Sequence, residues 1–187
     1  MTKHILQDYG FYLDHINAHL SHLDFSKEDL EKIHSWVKTP KGFLVLLGNA
    51  GIGKTYVAAA LANEFINTQI EFRYFKENTF LSKLRGFIER NQGYEGEITR
   101  ICDTNVIFFD ELGVSQLTDW QQEVIFSFVD QRHGNCQPTI ILSNLTPREI
   151  REKFHQRFYS RLFDKRNTVV DLFGYEDRRE ENQNEHA

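Results

Sequence analysis

Eight residues, Gly48-Asn49-Ala50-Gly51-Ile52-Gly53-Lys54-Thr55, constrain this chain more than any other stretch. They carry the G-x-x-x-x-G-K-T spacing of a loop that wraps a polyphosphate. The apolar run Phe43-Leu44-Val45-Leu46-Leu47 comes directly before them, and the helix-forming run Tyr56-Val57-Ala58-Ala59-Ala60-Leu61-Ala62 directly after. The motif therefore lies between a strand and a helix, the context in which it binds nucleotides. Glycines let successive backbone N–H groups turn inward around an anion. The following helix adds its positive N-terminal end. In such a loop Lys54 reaches the outer phosphates and Thr55 holds a magnesium ion. Residues 48–55, with Tyr56 beside them, are thus expected to bind ATP and Mg2+. Taken alone, the motif has a plainer reading as a Gly-rich turn with a surface lysine.

The rest of the chain supplies the fold that the loop needs. Glu71-Phe72-Arg73-Tyr74-Phe75 alternates as a strand does, and Asn78 is expected to cap a helix running to about Arg90, followed by a loop over 91–96. Val106-Ile107-Phe108-Phe109 and Thr139-Ile140-Ile141-Leu142 are apolar throughout, as strands buried on both faces are. Thr168-Val169-Val170-Asp171-Leu172 is a fifth strand. Ser26, Thr118 and Thr146-Pro147 mark helix starts. Strands alternating with helices predict an α/β fold with a mostly parallel five-stranded sheet between helices. Ile5, Leu6, Tyr9, Tyr12, Leu13, Ile16, Leu20 and Leu23 recur at helical spacing, interrupted by Gly10. The expected organisation is an N-terminal helical extension over 1–22, one domain over 23–178 and a polar tail over 179–187.

Two further strand ends carry chemistry. The strand ending in Asp110-Glu111 has the form of a second nucleotide-site element. There Asp110 holds the metal through water opposite Thr55, and Glu111 activates the attacking water as general base. As a structural feature the same pair would cap the loop after the strand. The strand ending in Ser143-Asn144 places Asn144 to orient water against the γ-phosphate, unless it is a turn residue.

These elements together resemble a family. Residues 48–55, Phe108-Phe109-Asp110-Glu111-Leu112-Gly113 and Ile141-Leu142-Ser143-Asn144-Leu145-Thr146-Pro147 are similar to the AAA+ ATPases of the DnaC/DnaI helicase-loader and IstB transposition-helper group. The resemblance covers about residues 22–178. It implies a P-loop NTPase with little or no C-terminal lid, ATP-dependent homo-oligomers, single-stranded DNA binding, and a replicative helicase or transposition protein as partner. In Arg157-Phe158-Tyr159-Ser160-Arg161-Leu162 the resemblance makes Arg161 an arginine finger, with Arg157 second. A planar, permanently charged guanidinium there stabilises charge on a neighbour's transferring phosphate. Arg179 corresponds to a second sensor. Lys83, Arg85, Phe87 and Trp120 are the candidate DNA contacts, since phosphates need cations and aromatics stack on unpaired bases. For Phe87 and Trp120 the alternative is core packing.

Composition limits the readings. With 22 basic and 27 acidic residues the net charge is −5, which argues against a chain coated in nucleic acid. It leaves room for local patches, and between Arg148 and Arg166 there are seven basic and three acidic residues. Cys102 and Cys136 are far apart and read as ordinary buried thiols. No apolar run reaches the ~18 residues of a membrane helix, and the expected location is cytoplasmic. Loaders of this kind carry a substantial domain before the ATPase, whereas 47 residues precede Gly48 here. The 5–20 segment is then either a reduced docking element or part of the domain's own packing. An ATP-gated adaptor acting mainly on a protein partner is the rival function, and a small-molecule kinase would need an acceptor pocket. His15, His19 and His22 share a face at helical spacing but lack a supporting carboxylate or cysteine signature, so no metal site is expected there.

Overall fold

The computed structural model describes residues 5–11, 15–90 and 93–177. Its centre is a sheet of five strands: β1 (Phe43–Leu47), β2 (Phe72–Lys76), β3 (Val106–Leu112), β4 (Thr139–Ser143) and β5 (Thr168–Asp171). The order is β2-β3-β4-β1-β5, and every pairing is parallel. Strand residues alternate between two faces, so Leu44 and Leu46 join one core while Phe43, Val45 and Leu47 join the other. The first core is closed by α1 (Ile5–Asp8), α2 (Lys27–Lys38) and α3 (Lys54–Asn67). The second is closed by α4 (Glu77–Glu89), α5 (Glu95–Cys102), α6 (Asp119–Gly134), α7 (Pro147–Lys153) and α8 (Gln156–Leu162). All strand C-termini lie along one edge. The chain leaves β1 toward β2 and β4 toward β5, so the crevice where ligands bind in open α/β sheets opens beside β1 and β4.

Local signals set most helix starts. Ser26 Oγ accepts Asp29 N–H, and Thr118 and Thr146 form capping boxes with Gln121 and Glu149. Three sequence expectations need correction. Asn78 is not the cap of α4, because β2 runs straight into the helix and Lys76 takes the N-cap position. The expected 91–96 loop gives way at Glu95 to a helix that sequence reading missed, α5, whose Ile98, Ile101 and Cys102 are buried. The helical spacing of the N-terminal extension is kept only in part among the described residues. After α1 the described part is mostly irregular up to a 3-10 turn at Leu20–His22. Asn63 of α3 donates to the carbonyls of Ile16 (3.2 Å) and Ala18 (2.8 Å), so tertiary bonds override helical periodicity. The three histidines therefore lack the common helical face their spacing suggested. Among the described residues, Leu6, Phe11, Ala18 and Leu20 are buried in the first core, so this segment packs on the domain's own sheet. Tyr12, Leu13, Arg178 and Arg179 fall outside the described residues.

Candidate active site

The motif 48–55 runs from the C-terminal end of β1 through a loop into the first turn of α3, which begins at Lys54. Gly51 and Gly53 have φ of 82° and 97°, a backbone region that side chains disfavour. A Cβ on Gly51 would also run into the Asp177 carboxylate. Lys54 is buried, and its Nζ donates to the carbonyls of Gly48 and Asn49, each at 2.7 Å. The lysine charge is thus held inside the loop. Tyr56 turns its hydroxyl to His22 Nδ1 (3.1 Å) and meets the His15 ring edge-on.

Asp110 lies opposite the loop. Thr55 Oγ1 donates to its Oδ2 at 3.2 Å, and Glu111 N–H donates to its Oδ1 at 2.7 Å. A hydroxyl and a carboxylate that converge from two elements are hard oxygen donors and suit magnesium, which keeps waters and adds phosphate oxygens. Between Phe109 and Leu112 the ladder with β4 shifts register, and Glu111 adopts φ 61°. Such a bulge re-aims a side chain out of the pleat. Glu111 Oε1 is held by Lys76 Nζ at 2.6 Å. Asn144 follows β4, the strand between β3 and β1, and its side chain is exposed. Ser143 just before it donates to the Leu112 carbonyl (2.7 Å), tying the β4 end to the β3 end.

Several residues of this edge were not singled out from the sequence. Tyr74 donates to Asp110 Oδ2 at 2.6 Å, and Lys76 pairs with Glu111. Glu77, buried beneath the loop after β3, accepts the N–H groups of Gly113 (2.6 Å) and Ser115 (3.4 Å). Burial raises its pKa and those two N–H groups oppose the rise. The signal was available in principle. A polar strand end next to a strand bearing Asp-Glu belongs to the same crevice in a parallel sheet.

The remaining candidates are dispersed. Arg161 Nε pairs with Asp130 of α6 at 2.7 Å. The Arg161 carbonyl accepts Asn167 Nδ2, while Asn167 Oδ1 accepts the N–H of Phe43 at the start of β1. Arg161 therefore lies at the end of the sheet opposite its own loop, ~13 Å away along β1 alone. Arg157 lines a cleft of about 630 Å³ with Asp119, Glu123, Phe126 and His155. Arg85 and Trp120 share a groove of about 560 Å³ between α4 and the start of α6. Lys83 is elsewhere, paired with Glu97 at 3.0 Å, and Phe87 stacks under Arg90 at 4.9 Å. The four candidate DNA contacts thus do not form one surface. Burial pushes the Cys102 thiol up to about 11, leaving it unreactive at neutral pH. Among the described residues no helix is long and apolar enough to cross a membrane.

This geometry, a phosphate loop facing a strand-end Asp-Glu pair on a parallel sheet, defines a P-loop ATPase domain. Residues 15–180 match the family described as IstB-like ATP binding protein, and the chain belongs to that family. It is 30% identical over 124 residues to the replicative helicase loader DnaI of Bacillus subtilis (strain 168), covering 65% of this chain and 40% of DnaI. It is 24% identical over 120 residues to the replicative helicase loader DnaC of Escherichia coli (strain K12), covering 63% of this chain and 49% of DnaC. The matches thus span less than half the length of these relatives. A crystal structure of the DnaC helicase loader superposes with a TM-score of 0.73 at 20% identity, over 85% of this chain and 98% of that one. At that identity the superposition shows the AAA+ fold.

Proposed function

We propose that this chain is a magnesium-dependent ATPase of the helicase-loader type, which assembles through ATP on single-stranded DNA, a replicative helicase, or both. The observation that carries the reading is the hydrogen bond from Thr55 at the phosphate loop to Asp110 at the end of β3, with Glu111 next to it in the chain. The loop amides from Gly48 to Tyr56 and the Lys54 ammonium bind the phosphates. Thr55 and Asp110 hold the magnesium ion, which when bound offsets charge on the phosphate oxygens. Glu111 takes the proton of the attacking water, and Lys76 beside it pairs with its carboxylate. Asn144 orients that water.

Arg161 cannot serve its own site, given its place at the far end of β1. It suits a neighbour's γ-phosphate, with Arg157 one helical turn away on α8. The Asp130 pair is partly exposed and so weak enough to exchange for a phosphate. Arg161→Ala is expected to lower turnover of the assembled protein by about a thousandfold. Mixing it with Glu111→Gln is expected to recover turnover, because one composite site then holds both groups. Full turnover by Arg161→Ala alone in the assembly would remove the finger role.

A second reading has its own support. The net charge is −5, and both cations among the candidate DNA contacts are already paired, Lys83 with Glu97 and Arg85 with Glu89. These features favour an ATP-gated adaptor or transposition helper that acts on a protein. Titration of a fluorescent oligo-dT separates the two. Salt-sensitive, ATP-stimulated binding belongs to the loader, and no binding at low salt belongs to the adaptor.

A further inference from the structure

The Asp110 carboxylate is held by more than its metal-site partner. Its Oδ1 accepts the Glu111 N–H, and its Oδ2 accepts both Thr55 Oγ1 (3.2 Å) and the Tyr74 hydroxyl (2.6 Å). A carboxylate offers about four lone-pair directions. When Thr55 turns its oxygen to a cation, the Tyr74 bond still fixes the rotation of the carboxylate. Asp110 is only 5% exposed, so water cannot easily replace that donor.

Tyr74 is in turn fixed from outside the site. It lies on β2, the edge strand, where its ring clusters with Phe11, 4.3 Å away centroid to centroid, and with Phe108 at 6.5 Å. Phe11 is buried, and Tyr9 packs on Phe72 of the same strand at 4.3 Å. The N-terminal segment therefore clasps β2 at the residue that reaches the metal-site carboxylate.

We propose that Tyr74 is a positioning residue for Asp110, and that the 9–11 segment, by holding the Tyr74 ring, sets the strength of magnesium-dependent nucleotide binding. This rests on the assignment of Asp110 to the metal. It gives the N-terminal segment a part in ATP affinity as well as in packing, and a partner that pulled this segment off β2 would weaken the site.

The test is equilibrium binding of a fluorescent ATP analogue to the full chain, with Mg2+ and with EDTA. Tyr74→Phe keeps the ring and removes the hydroxyl. Affinity in EDTA is expected to stay within twofold of wild type, while the gain on adding Mg2+ shrinks about tenfold, as for one bond to a charged group. Phe11→Leu, which leaves the hydroxyl in place, is expected to reproduce part of that loss. An undiminished magnesium gain in Tyr74→Phe overturns the role of Tyr74. An undiminished gain in Phe11→Leu overturns the role of the segment. The wild-type arm tests the underlying assignment separately, since a wild-type chain that gains nothing from Mg2+ would show that Asp110 and Thr55 do not hold the ion.

Discussion

Lys54→Ala is expected to weaken ATP binding by at least about a hundredfold. Each charge-assisted bond from the ammonium to a phosphate oxygen is worth ~1.5–3 kcal/mol. Losing two costs ~3–6 kcal/mol, and each 1.4 kcal/mol is a factor of ten. The lysine is buried, with its Nζ 2.7 Å from two loop carbonyls, so it is already placed and little side-chain freedom is lost on binding. Asn49 is exposed, so water can take over the bond to its carbonyl, while the bond to buried Gly48 is one hydrogen bond among many in the fold. The variant should therefore fold, and circular dichroism would show an unchanged spectrum. Titration with a fluorescent ATP analogue checks the affinity, and a value within threefold of wild type would contradict the assignment.

The largest expected effect on stability comes from a residue outside the site. Arg132, on α6, is fully buried and donates to the carbonyls of Cys102 (2.8 Å), Thr104 (2.6 Å), Asn105 (3.4 Å) and Pro138, and to Thr139 Oγ1 (3.0 Å). It joins the end of α5, the approach to β3 and the start of β4. Burial pulls its pKa down to about 10, which still leaves it charged at neutral pH. Arg132→Met preserves volume but leaves several acceptors unpaired inside the protein. The expected loss is about 3–5 kcal/mol of unfolding free energy, a large share of the ~5–15 kcal/mol of a typical domain. Arg132→Lys should recover only part of it, because an ammonium lacks the planar fork that spans these acceptors. Urea unfolding measures both, and a loss below about 1 kcal/mol for Arg132→Met would contradict the account.

What could be read from the sequence was local or doubly buried. Strands such as Val106-Ile107-Phe108-Phe109 are covered on both faces and so read as unbroken apolar runs. The caps at Ser26, Thr118 and Thr146 work within four residues of chain. The phosphate loop and Asp110-Glu111 were legible because their chemistry fixes residue types at fixed spacing. Tyr74, Lys76 and Glu77 were not legible in this way. Their partners Asp110, Glu111 and Gly113 are brought beside them only by the register of β2 on β3, which pairs Lys76 with Asp110. The described stretch at 16–18 departs from helical spacing because that spacing says nothing of Asn63, whose side chain claims the Ile16 and Ala18 carbonyls from α3. The spread of Lys83, Arg85 and Phe87 along one helix likewise concealed that they face different neighbours.

The central claim is that Glu111 activates water at a nucleotide held by the 48–55 loop, and paired measurement of binding and turnover in Glu111→Gln tests it most directly. The substitution keeps size and shape and removes the base. ATP affinity is expected to stay within about threefold of wild type, while steady-state phosphate release falls at least a hundredfold, the usual share of general-base catalysis. Phosphate release at the wild-type rate by Glu111→Gln, with ATP still bound, would contradict the claim.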